Sequence, residues 1–219
     1  MNKTGYSPET AQGRDVGIVI LAAGNSSRLG QPKQLLPYQG KTLLTHAVTE
    51  ALAAFLQPAV VVTGAFQAEI VASLQRQAEM SAPSQHLAVN IVHNPHWETG
   101  MASGIVAGLD KAISIQPRLQ AIIVAVCDQP YLSAALLQAL VAKHTVSEKG
   151  LIASGYSGTA GTPVLFDRRY FKELSRLSGD GGAKSLLKRY PDDVSIIPFP
   201  KGNIDIDTED DFQRLTIGG

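Results

Sequence analysis

Two glycines and two cations follow the first apolar run of the sequence closely. The run Val16 to Leu21 is typical of a buried strand, and behind it come Gly24, Arg28, Gly30 and Lys33. Glycine lets the main chain approach a ligand closely, and free backbone N–H groups in such a loop can bind an anion. Arg28 and Lys33 add positive charge, which suits a polyphosphate better than a neutral ligand. The alternative is a plain strand-to-helix connection with incidental surface cations.

A carboxylate stands at a second point where chemistry is expected. Asp128 directly follows the apolar run Ala121 to Cys127, whose lack of alternation predicts a central strand covered on both faces. The carboxyl end of such a strand faces the ligand-binding edge of an α/β sheet. Mg²⁺ prefers oxygen ligands and often uses one or two carboxylates together with phosphates. We therefore expect Asp128 to bind Mg²⁺, the alternative being a helix-capping or loop aspartate.

The rest of the chain supplies the elements that must position these groups. Strands are predicted from apolar and β-branched runs at 16–21, 59–63, 88–92, 121–127, 151–153, 164–166 and 194–197. Helices are predicted from apolar residues at helical spacing at 43–56, 70–74, 101–115, 136–141, 169–177, 183–189 and after 208. Thr42, Ser133 and Thr208 are each placed to cap a helix. This alternation predicts a single α/β domain at 16–219, with a mostly parallel, twisted, Rossmann-like sheet sandwiched by helices, behind a flexible N-terminal arm at 1–15.

The composition favours a small-molecule partner. Lys plus Arg and Asp plus Glu number 19 each, so the chain has no global basic field for nucleic acid. Cys127 is the single cysteine, which excludes an intramolecular disulfide framework, and its place in a strand predicts a buried structural thiol. No apolar run reaches the roughly eighteen residues of a membrane span. We expect a cytoplasmic monomer that binds neither nucleic acid nor a membrane.

Other nucleotide and metal signatures fit less well. No Gly-x-Gly-x-x-Gly motif follows a strand, which disfavours a dinucleotide-binding oxidoreductase. The triplet Gly-Lys-Thr at 40–42 is similar to the end of a P-loop, but Leu35 stands where that motif requires a glycine. His93, His96 and Glu98 lie in a proline-containing loop without a fourth ligand nearby, so a zinc site is disfavoured.

The loop after the first strand resembles a family signature. Leu21 to Pro37 reads LAAGNSSRLGQPKQLLP, which resembles nucleotidyltransferases of the nucleotide-diphospho-sugar transferase fold, shared with glycosyltransferase family A. The LAAG form followed by KQLL is similar to the molybdenum cofactor cytidylyltransferases among the MobA-like NTP transferases, whereas guanylyltransferase relatives more often carry LAGG. The resemblance continues at 99–103, 127–130, 161–163, 179–183 and 205–212, and so covers 16 to 215.

The resemblance implies a nucleotide site built on this loop. The residues expected to bind the nucleotide are Leu21, Ala22, Ala23, Gly24, Asn25, Ser26, Ser27, Arg28, Gly30, Lys33, Thr63, Gly64, Gly100, Met101 and Ser103. Backbone N–H groups of the loop would hold the triphosphate, with Arg28 on the leaving pyrophosphate and Lys33 bridging toward the α-phosphate. Arg28, Lys33 and Asp128 are therefore the expected catalytic residues. Met101 begins a helix after a glycine, and an ordinary helix start is its alternative role.

The resemblance also implies an acceptor side and a second metal ligand. The residues expected to frame the second substrate are Gly161, Thr162, Pro163 and Asp180, with ordinary turns as the alternative. The metal-facing acid of related enzymes corresponds to Asp205. Asp207 is the alternate, since an acid near a helix start can also interact with the helix dipole. Thr162 stands where many cytidylyltransferases of this group carry His, which leaves the acceptor open.

The expected function is transfer of CMP from CTP to the phosphate of molybdopterin cofactor, with Mg²⁺ as cofactor and release of pyrophosphate. A close alternative uses GTP, or a sugar or alditol phosphate as acceptor. A non-catalytic nucleotide- or cofactor-binding accessory protein for a molybdoenzyme is a different class, and docking to a molybdoenzyme or its chaperone is a further option. A nucleotide-sugar glycosyltransferase is disfavoured because Cys127-Asp128-Gln129 replaces the usual Asp-x-Asp after the central strand.

Overall fold

The structure is a computed structural model that describes residues 15–80 and 89–217. Except for Asp15, the expected N-terminal arm lies outside the described residues, as does Ala88 at the start of the third expected strand. The elements follow the expected alternation from the first strand to the last helix. The chain is a single α/β domain.

The described residues form nine strands and seven helices. In chain order these are β1 (Val16–Ala22), β2 (Pro37–Tyr38), β3 (Lys41–Thr42), α1 (Leu43–Ala53), β4 (Ala59–Thr63), α2 (Gln67–Met80), β5 (Asn90–His93), α3 (Met101–Ile115), β6 (Ala121–Val126), α4 (Ala134–Val146), β7 (Leu151–Tyr156), β8 (Thr159–Asp167), α5 (Phe171–Leu174), α6 (Gly182–Arg189), β9 (Val194–Pro198) and α7 (Glu209–Ile217). Short 3-10 turns lie at Lys33–Leu35, Trp97–Thr99, Arg168–Tyr170, Gly179–Gly181 and Pro191–Asp193. None of these described helices is long and apolar enough to cross a membrane.

Seven strands form one sheet in the order β5-β4-β1-β6-β8-β7-β9. β1 pairs in parallel with β4 and β6, β4 with β5, and β7 with β9. Only β8 runs antiparallel, to both β6 and β7, among the strands of this described sheet. The mostly parallel sheet is therefore confirmed. Because the chain leaves β1 toward β4 and returns on its other side as β6, the carboxyl ends of β1 and β6 flank a topological switch point, where α/β sheets bind ligands.

Helices bury both faces of the sheet. One core cluster joins α1, α2 and α4 to alternate residues of β1 such as Ile18 and Ile20. The other joins α3, α5 and α6 to residues of opposite orientation such as Val19. Strand side chains alternate between faces, so a run without polar residues can be buried on both sides. This explains why the central strands read as continuous apolar segments.

Several element limits match the sequence and others do not. Thr42 and Ser133 accept hydrogen bonds from the backbone N–H groups three residues on and so cap α1 and α4 as expected. The helix expected at 169–177 is wrong in length, because only α5 and a preceding 3-10 turn form there. The strands expected at 151–153 and 164–166 are longer, since they meet in a hairpin whose turn, Ser157 and Gly158, has φ angles of 48° and 73°. Polar and glycine residues in that hairpin hide its strand character.

Candidate functional site

Ser26 organises the loop that follows β1. Its own φ is 51°, and its carbonyl accepts hydrogen bonds from the backbone N–H groups of Leu29 and Gly30 at 3.0 and 3.2 Å. The Ser26 hydroxyl oxygen accepts from the backbone N–H of Lys33 at 3.0 Å. One serine therefore closes the turn and fixes where Lys33 leaves the loop.

Gln34 ties the same loop to β1 from below. The side chain is buried, and its Nε2 donates to the carbonyls of Ala22 and Gly24 at 3.0 and 2.8 Å. These two bonds hold the main chain of the LAAG segment in place on both sides of Ala23. Buried hydrogen bonds of this kind are costly to break. Gln34 therefore makes the loop a rigid support for a ligand.

Lys33 joins three distant segments of the chain. Its Nζ donates to Oδ2 of Asp128, at the end of β6, and to Oδ1 of Asp207 at 2.8 Å, before α7. Nη2 of Arg28 in turn donates to Oδ2 of Asp207 at 2.6 Å. The Lys33 and Asp128 side chains are only 17% and 14% exposed. The structure thus brings the two loop cations together with two of the three predicted acids.

These contacts keep both partners charged. Burial alone would lower the pKa of Lys33, but the charge and hydrogen bonds of Asp128 and the hydrogen bond to Asp207 raise it above its ordinary value. The hydrogen bond from Lys33 lowers the pKa of Asp207. Lys33 is therefore a cation and Asp207 an anion across the neutral pH range.

Asp205 is exposed, lines a cavity together with Asp128, and has a different environment from Asp207. Burial, and then the negative charge of Asp128, raise the pKa of Asp205. The segment is held in register by the backbone N–H of Ile206, which donates to the carbonyl of Asp128 at 3.1 Å. Two acids that repel each other in a partly buried place are a natural site for a cation.

The donor set at this place fits a hard divalent cation. Oδ1 of Asp128 is buried and has no hydrogen-bond partner among the described residues, and carboxylate oxygens are the ligands that Mg²⁺ and Mn²⁺ prefer. Across 15–80 and 89–217, no group of three or more His, Cys, Asp or Glu side chains is arranged to hold a metal. Asp128 and Asp205 would therefore need oxygens of a bound substrate to complete a coordination sphere.

A first cavity of about 220 Å³ lies over the loop. Its lining residues are Leu21, Ala22, Ala23, Gly24, Lys33, Gln34, Asn94, Trp97, Gly100, Met101, Gly104, Val126, Cys127 and Asp128. Gly64 lies behind this wall, where a Cβ would come within 2.8 Å of the Trp97 Cβ and 2.5 Å of the Ala23 carbonyl. A side chain at Gly64 would therefore push Trp97 and the loop apart. The lining is mostly apolar, with Lys33 and Asp128 as its charged residues.

The other expected nucleotide-binding residues are not in the lining of this cavity, and Arg28 instead lines a separate cavity of about 440 Å³ together with Asp205 and Asp207. Thr63 is buried and donates to the Val92 carbonyl at 3.3 Å. The Ser103 hydroxyl accepts from Asn94 Nδ2 at 2.8 Å and also lies against the Gly100 carbonyl at 2.9 Å, so it fixes the start of α3. Asn25 and Ser27 are exposed on the loop.

A second cavity of about 420 Å³ adjoins the first at Met101 and Asp128. Its lining residues are Met101, Val126, Asp128, Gln129, Tyr156, Thr162, Gly181, Gly182, Ala183, Lys184, Gly202, Asn203 and Asp205. Of the expected acceptor residues, Thr162 lines it, while Gly161 and Pro163 are buried beside it. Asp180 lies in the adjoining 3-10 turn, and its side chain is outside what the structure describes.

Cys127 directly precedes Asp128 in the chain but is not one of the charged residues that contact Lys33. The thiol is buried, and burial raises its pKa to about 12. A thiol with that pKa stays protonated at neutral pH and is a poor nucleophile. The expected buried thiol is confirmed.

Sequence reasoning missed several residues of the two cavities. Those with polar or aromatic side chains include Gln34, Trp97, Gln129, Tyr156 and Lys184. Four of these five stand in or beside the motif segments, so a polar or aromatic residue next to each motif is the signal that could have found them. Tyr156 carries no such signal, because only the hairpin geometry brings it to the second cavity.

Known proteins are similar in sequence to this chain over most of its length. A family model described as the MobA-like NTP transferase domain matches residues 18–194. Nicotine blue oxidoreductase of Paenarthrobacter nicotinovorans is 31% identical over 90% of this chain and 94% of its own. Purine catabolism protein PucB of Bacillus subtilis (strain 168) is 31% identical over 78% of this chain and 79% of its own. Molybdenum cofactor cytidylyltransferase of Escherichia coli (strain K12) is 26% identical over 90% and 93%.

Solved structures show the same architecture. Rv0371c from Mycobacterium tuberculosis H37Rv superposes with a TM-score of 0.72 at 29% identity, covering 91% of this chain and 96% of that chain. A structure of Rv0371C in complex with manganese gives a TM-score of 0.70 at 27% identity, covering 94% and 100%. The second structure is of a protein of this fold with a divalent metal bound.

Proposed function

This chain belongs to the MobA-like NTP transferase domain family, and from that premise we propose that it is a nucleotidyltransferase that transfers CMP from CTP to the phosphate of a molybdopterin-type cofactor. The LAAG and KQLL segments of the loop support CTP and a molybdenum cofactor acceptor. So does the full-length similarity to a molybdenum cofactor cytidylyltransferase.

The observation that carries this proposal is the position of Lys33. It stands on the Gly-rich loop, contacts Asp128 at the carboxyl end of the central strand, and lies in the lining of the first cavity. In the proposed reaction, a cation at this point would stabilise the charge that builds up on the α-phosphate during transfer. Simple binding of a nucleotide would not require such a cation beside a strand-end acid.

In the proposed reaction an oxygen of the acceptor phosphate forms a bond to the α-phosphorus of CTP. The bond from that phosphorus to the bridging oxygen of the β-phosphate breaks, and pyrophosphate leaves with the electron pair. Lys33 and the loop N–H groups stabilise the negative charge on the α-phosphate, and Arg28 binds the leaving pyrophosphate. No covalent intermediate with the protein is required, which agrees with the protonated Cys127.

The proposed cofactor is Mg²⁺, held by Asp128 and Asp205. The manganese complex of the related Rv0371C supports use of a divalent cation at this fold. When bound, such an ion offsets the charge of the triphosphate and orients it. Asp128 has its buried Oδ1 free of any partner within the described residues, and so can contribute a ligand without breaking its bond to Lys33.

Close alternatives keep the reaction and change a substrate. GTP in place of CTP, or a sugar or alditol phosphate as acceptor, would use the same charged groups. An accessory protein that binds nucleotide and cofactor without turnover, docked to a molybdoenzyme or its chaperone, would not need the Lys33 and Asp128 pair. Transfer activity with each of the four triphosphates, measured with each of these acceptors, separates the alternatives.

An oxidoreductase is the second candidate, because nicotine blue oxidoreductase is a full-length relative at 31% identity. A nucleotide-bearing hydride donor could place its diphosphate on the Lys33 loop. The loop lacks the Gly-x-Gly-x-x-Gly pattern that dinucleotide-binding strands commonly carry. Oxidation of NADH or NADPH by the purified protein with an oxidised dye substrate would favour this candidate.

The experiment that tests the transferase proposal measures pyrophosphate release from CTP with molybdopterin cofactor. We expect Lys33→Met and Asp128→Asn to reduce the rate about 100-fold or more, the scale seen when one group that stabilises a transition-state charge is removed. Lys41→Met and Asp110→Asn are matched controls, since both residues lie outside the two cavities. Wild-type rates in both site variants, with folding verified by circular dichroism, would overturn the proposal.

A further inference from the structure

In the proposed reaction, a negatively charged acceptor enters the second cavity, which is itself lined by two acids. An acceptor phosphate has a charge of about −1.5 to −2 at neutral pH. It would enter beside Asp128 and Asp205, which line this cavity, and like charges repel at such range. Arg28 and Lys33 lie on the nucleotide loop and already contact acids. The proposed Mg²⁺ on Asp128 and Asp205 would offset part of this repulsion, and a cation on the acceptor side would offset the charge of the acceptor phosphate itself.

Lys184 is the one cation among the described residues that line the second cavity. Its carbon chain passes close to Gly161, where an added Cβ would lie 3.1 Å from Lys184 Cε. The Lys184 side chain is exposed. Resting on the proposed transfer reaction, we propose that Lys184 binds the phosphate of the acceptor and so sets the specificity of this cavity for an anionic substrate.

The placement of Lys184 is unfavourable unless a ligand uses it. The residue lies in the first turn of α6, where the positive end of the helix dipole disfavours a cation. Lys188 and Arg189 lie in the last turn of the same helix, where cations are favoured. No side chain that the structure describes pairs with the Lys184 ammonium group. An anion would therefore gain from both Lys184 and the helix start.

Gln129 gives an independent sign that this cavity takes a ligand. The residue is 4% exposed, and its Nε2 donates to the carbonyls of Gly202 and Thr162 at 2.8 and 3.2 Å. Its Oε1 has no hydrogen-bond donor in the described part of the chain. A buried acceptor left without a donor is destabilising. A ligand with an N–H or O–H group would supply the missing donor.

The substrate class that meets both groups is a phosphomonoester with a hydrogen-bond donor on its body. Lys184 binds the phosphate oxygens that do not attack, and Gln129 binds the donor. Tyr156 forms part of the wall between them, with its hydroxyl placed where a Cβ on Gly161 would be 2.2 Å away. A neutral acceptor would leave Lys184 unused and is excluded by this assignment.

Steady-state kinetics with CTP and molybdopterin cofactor tests the role of Lys184. We expect Lys184→Met to raise KM for the acceptor about tenfold or more, as loss of a charged hydrogen bond does, while KM for CTP stays within about twofold. Lys184→Arg should restore most of the affinity because it keeps the charge. Lys188→Met, one turn further along α6, is the matched control. An unchanged acceptor KM in Lys184→Met, or a rise equal to that of Lys188→Met, overturns the assignment.

A binding experiment separates this inference from the transfer reaction itself. Inorganic phosphate is titrated by ³¹P NMR into the Lys33→Met protein, in which the nucleotide loop has lost a cation. We expect the phosphate signal to broaden on binding to the Lys33→Met protein. This broadening should disappear in the Lys33→Met/Lys184→Met double variant and persist in Lys33→Met/Lys188→Met. If the protein transfers no nucleotide, the proposed function fails while this result still decides the role of Lys184. Equal broadening of the phosphate signal in both double variants would contradict the proposed role of Lys184.

Discussion

Lys33 and the acids around it determine what a ligand must overcome to bind. Asp128 and Asp207 both accept hydrogen bonds from its Nζ, so an incoming phosphate competes with two carboxylates for one ammonium group. Charge-assisted bonds of this kind are about twice as strong as neutral ones. The acids therefore position Lys33 accurately and keep it protonated, and a ligand of high negative charge is the kind that can displace them.

The three acids are expected to differ in metal binding. Both carboxylate oxygens of Asp207 already accept from Lys33 and Arg28, whereas Asp205 lines the second cavity beside Asp128. We predict that Asp205→Asn weakens Mn²⁺ binding about tenfold or more in the presence of CTP, since a carboxylate ligand to a hard cation loses its charge. Asp207→Asn should change it much less. Free Mn²⁺ measured by electron paramagnetic resonance gives the affinities, and a larger loss in Asp207→Asn would assign the ligand to that residue instead.

At the residue scale, sequence reasoning found the charged groups of the nucleotide loop and its acids, and missed Lys184 and the neutral residues of the two cavities. Lys33, Arg28 and Asp128 stand out because charge beside glycines or after an apolar strand has few structural explanations. Gln34 and Gln129 act through hydrogen bonds that their side-chain amides donate to backbone carbonyls of other segments. Such partners exist only in the folded chain, so the sequence cannot reveal them.

The elements next to the site were predictable where local signals were strong. α3 begins and ends where helical spacing and the preceding glycine placed it, at Met101 and Ile115. β7 and β8 were underestimated, because their outer halves contain glycine, serine and threonine and gain their strand form from pairing with each other. Cross-strand pairing is a tertiary effect that overrides local propensity.

α3 packs more tightly against the sheet at Gly108 than at Gly104. A Cβ at Gly108 would lie 2.4 Å from Val19 Cγ1, whereas a Cβ at Gly104 would lie 3.3 Å from Leu21 Cδ2. We predict that Gly108→Ala lowers the free energy of unfolding by about 1–3 kcal/mol, because overpacking outweighs the gain in helix propensity. Gly104→Ala, one turn away, is the matched control and should be close to neutral. Urea denaturation measures both, and equal stability of the two variants would contradict this packing.

At the scale of the whole molecule, the site exists only when the sheet is complete. Lys33 comes from the loop after β1, Asp128 from the end of β6, and Asp205 and Asp207 from the segment before α7. Two backbone hydrogen bonds join these segments directly. The N–H of Cys127 donates to the Leu21 carbonyl at 3.3 Å, and the N–H of Ile206 donates to the Asp128 carbonyl. A mostly parallel sheet was expected from the sequence, and the parallel pairing of β1 with β6 brings the first two segments to one edge. The return of the last segment to Asp128 rested on family resemblance, since no periodicity or motif spacing predicts so distant a contact.

The central claim is that these groups together transfer a nucleoside monophosphate to a phosphate acceptor. The most direct measurement is mass spectrometry of purified molybdopterin cofactor after incubation with the protein, Mg²⁺ and each of the four nucleoside triphosphates separately. We predict that the acceptor gains the mass of a cytidylyl group (CMP less one water) with CTP, with one pyrophosphate released for each product formed. A gain of GMP with GTP would keep the reaction and correct the base. An unchanged acceptor with all four triphosphates, and no pyrophosphate released, would contradict the account.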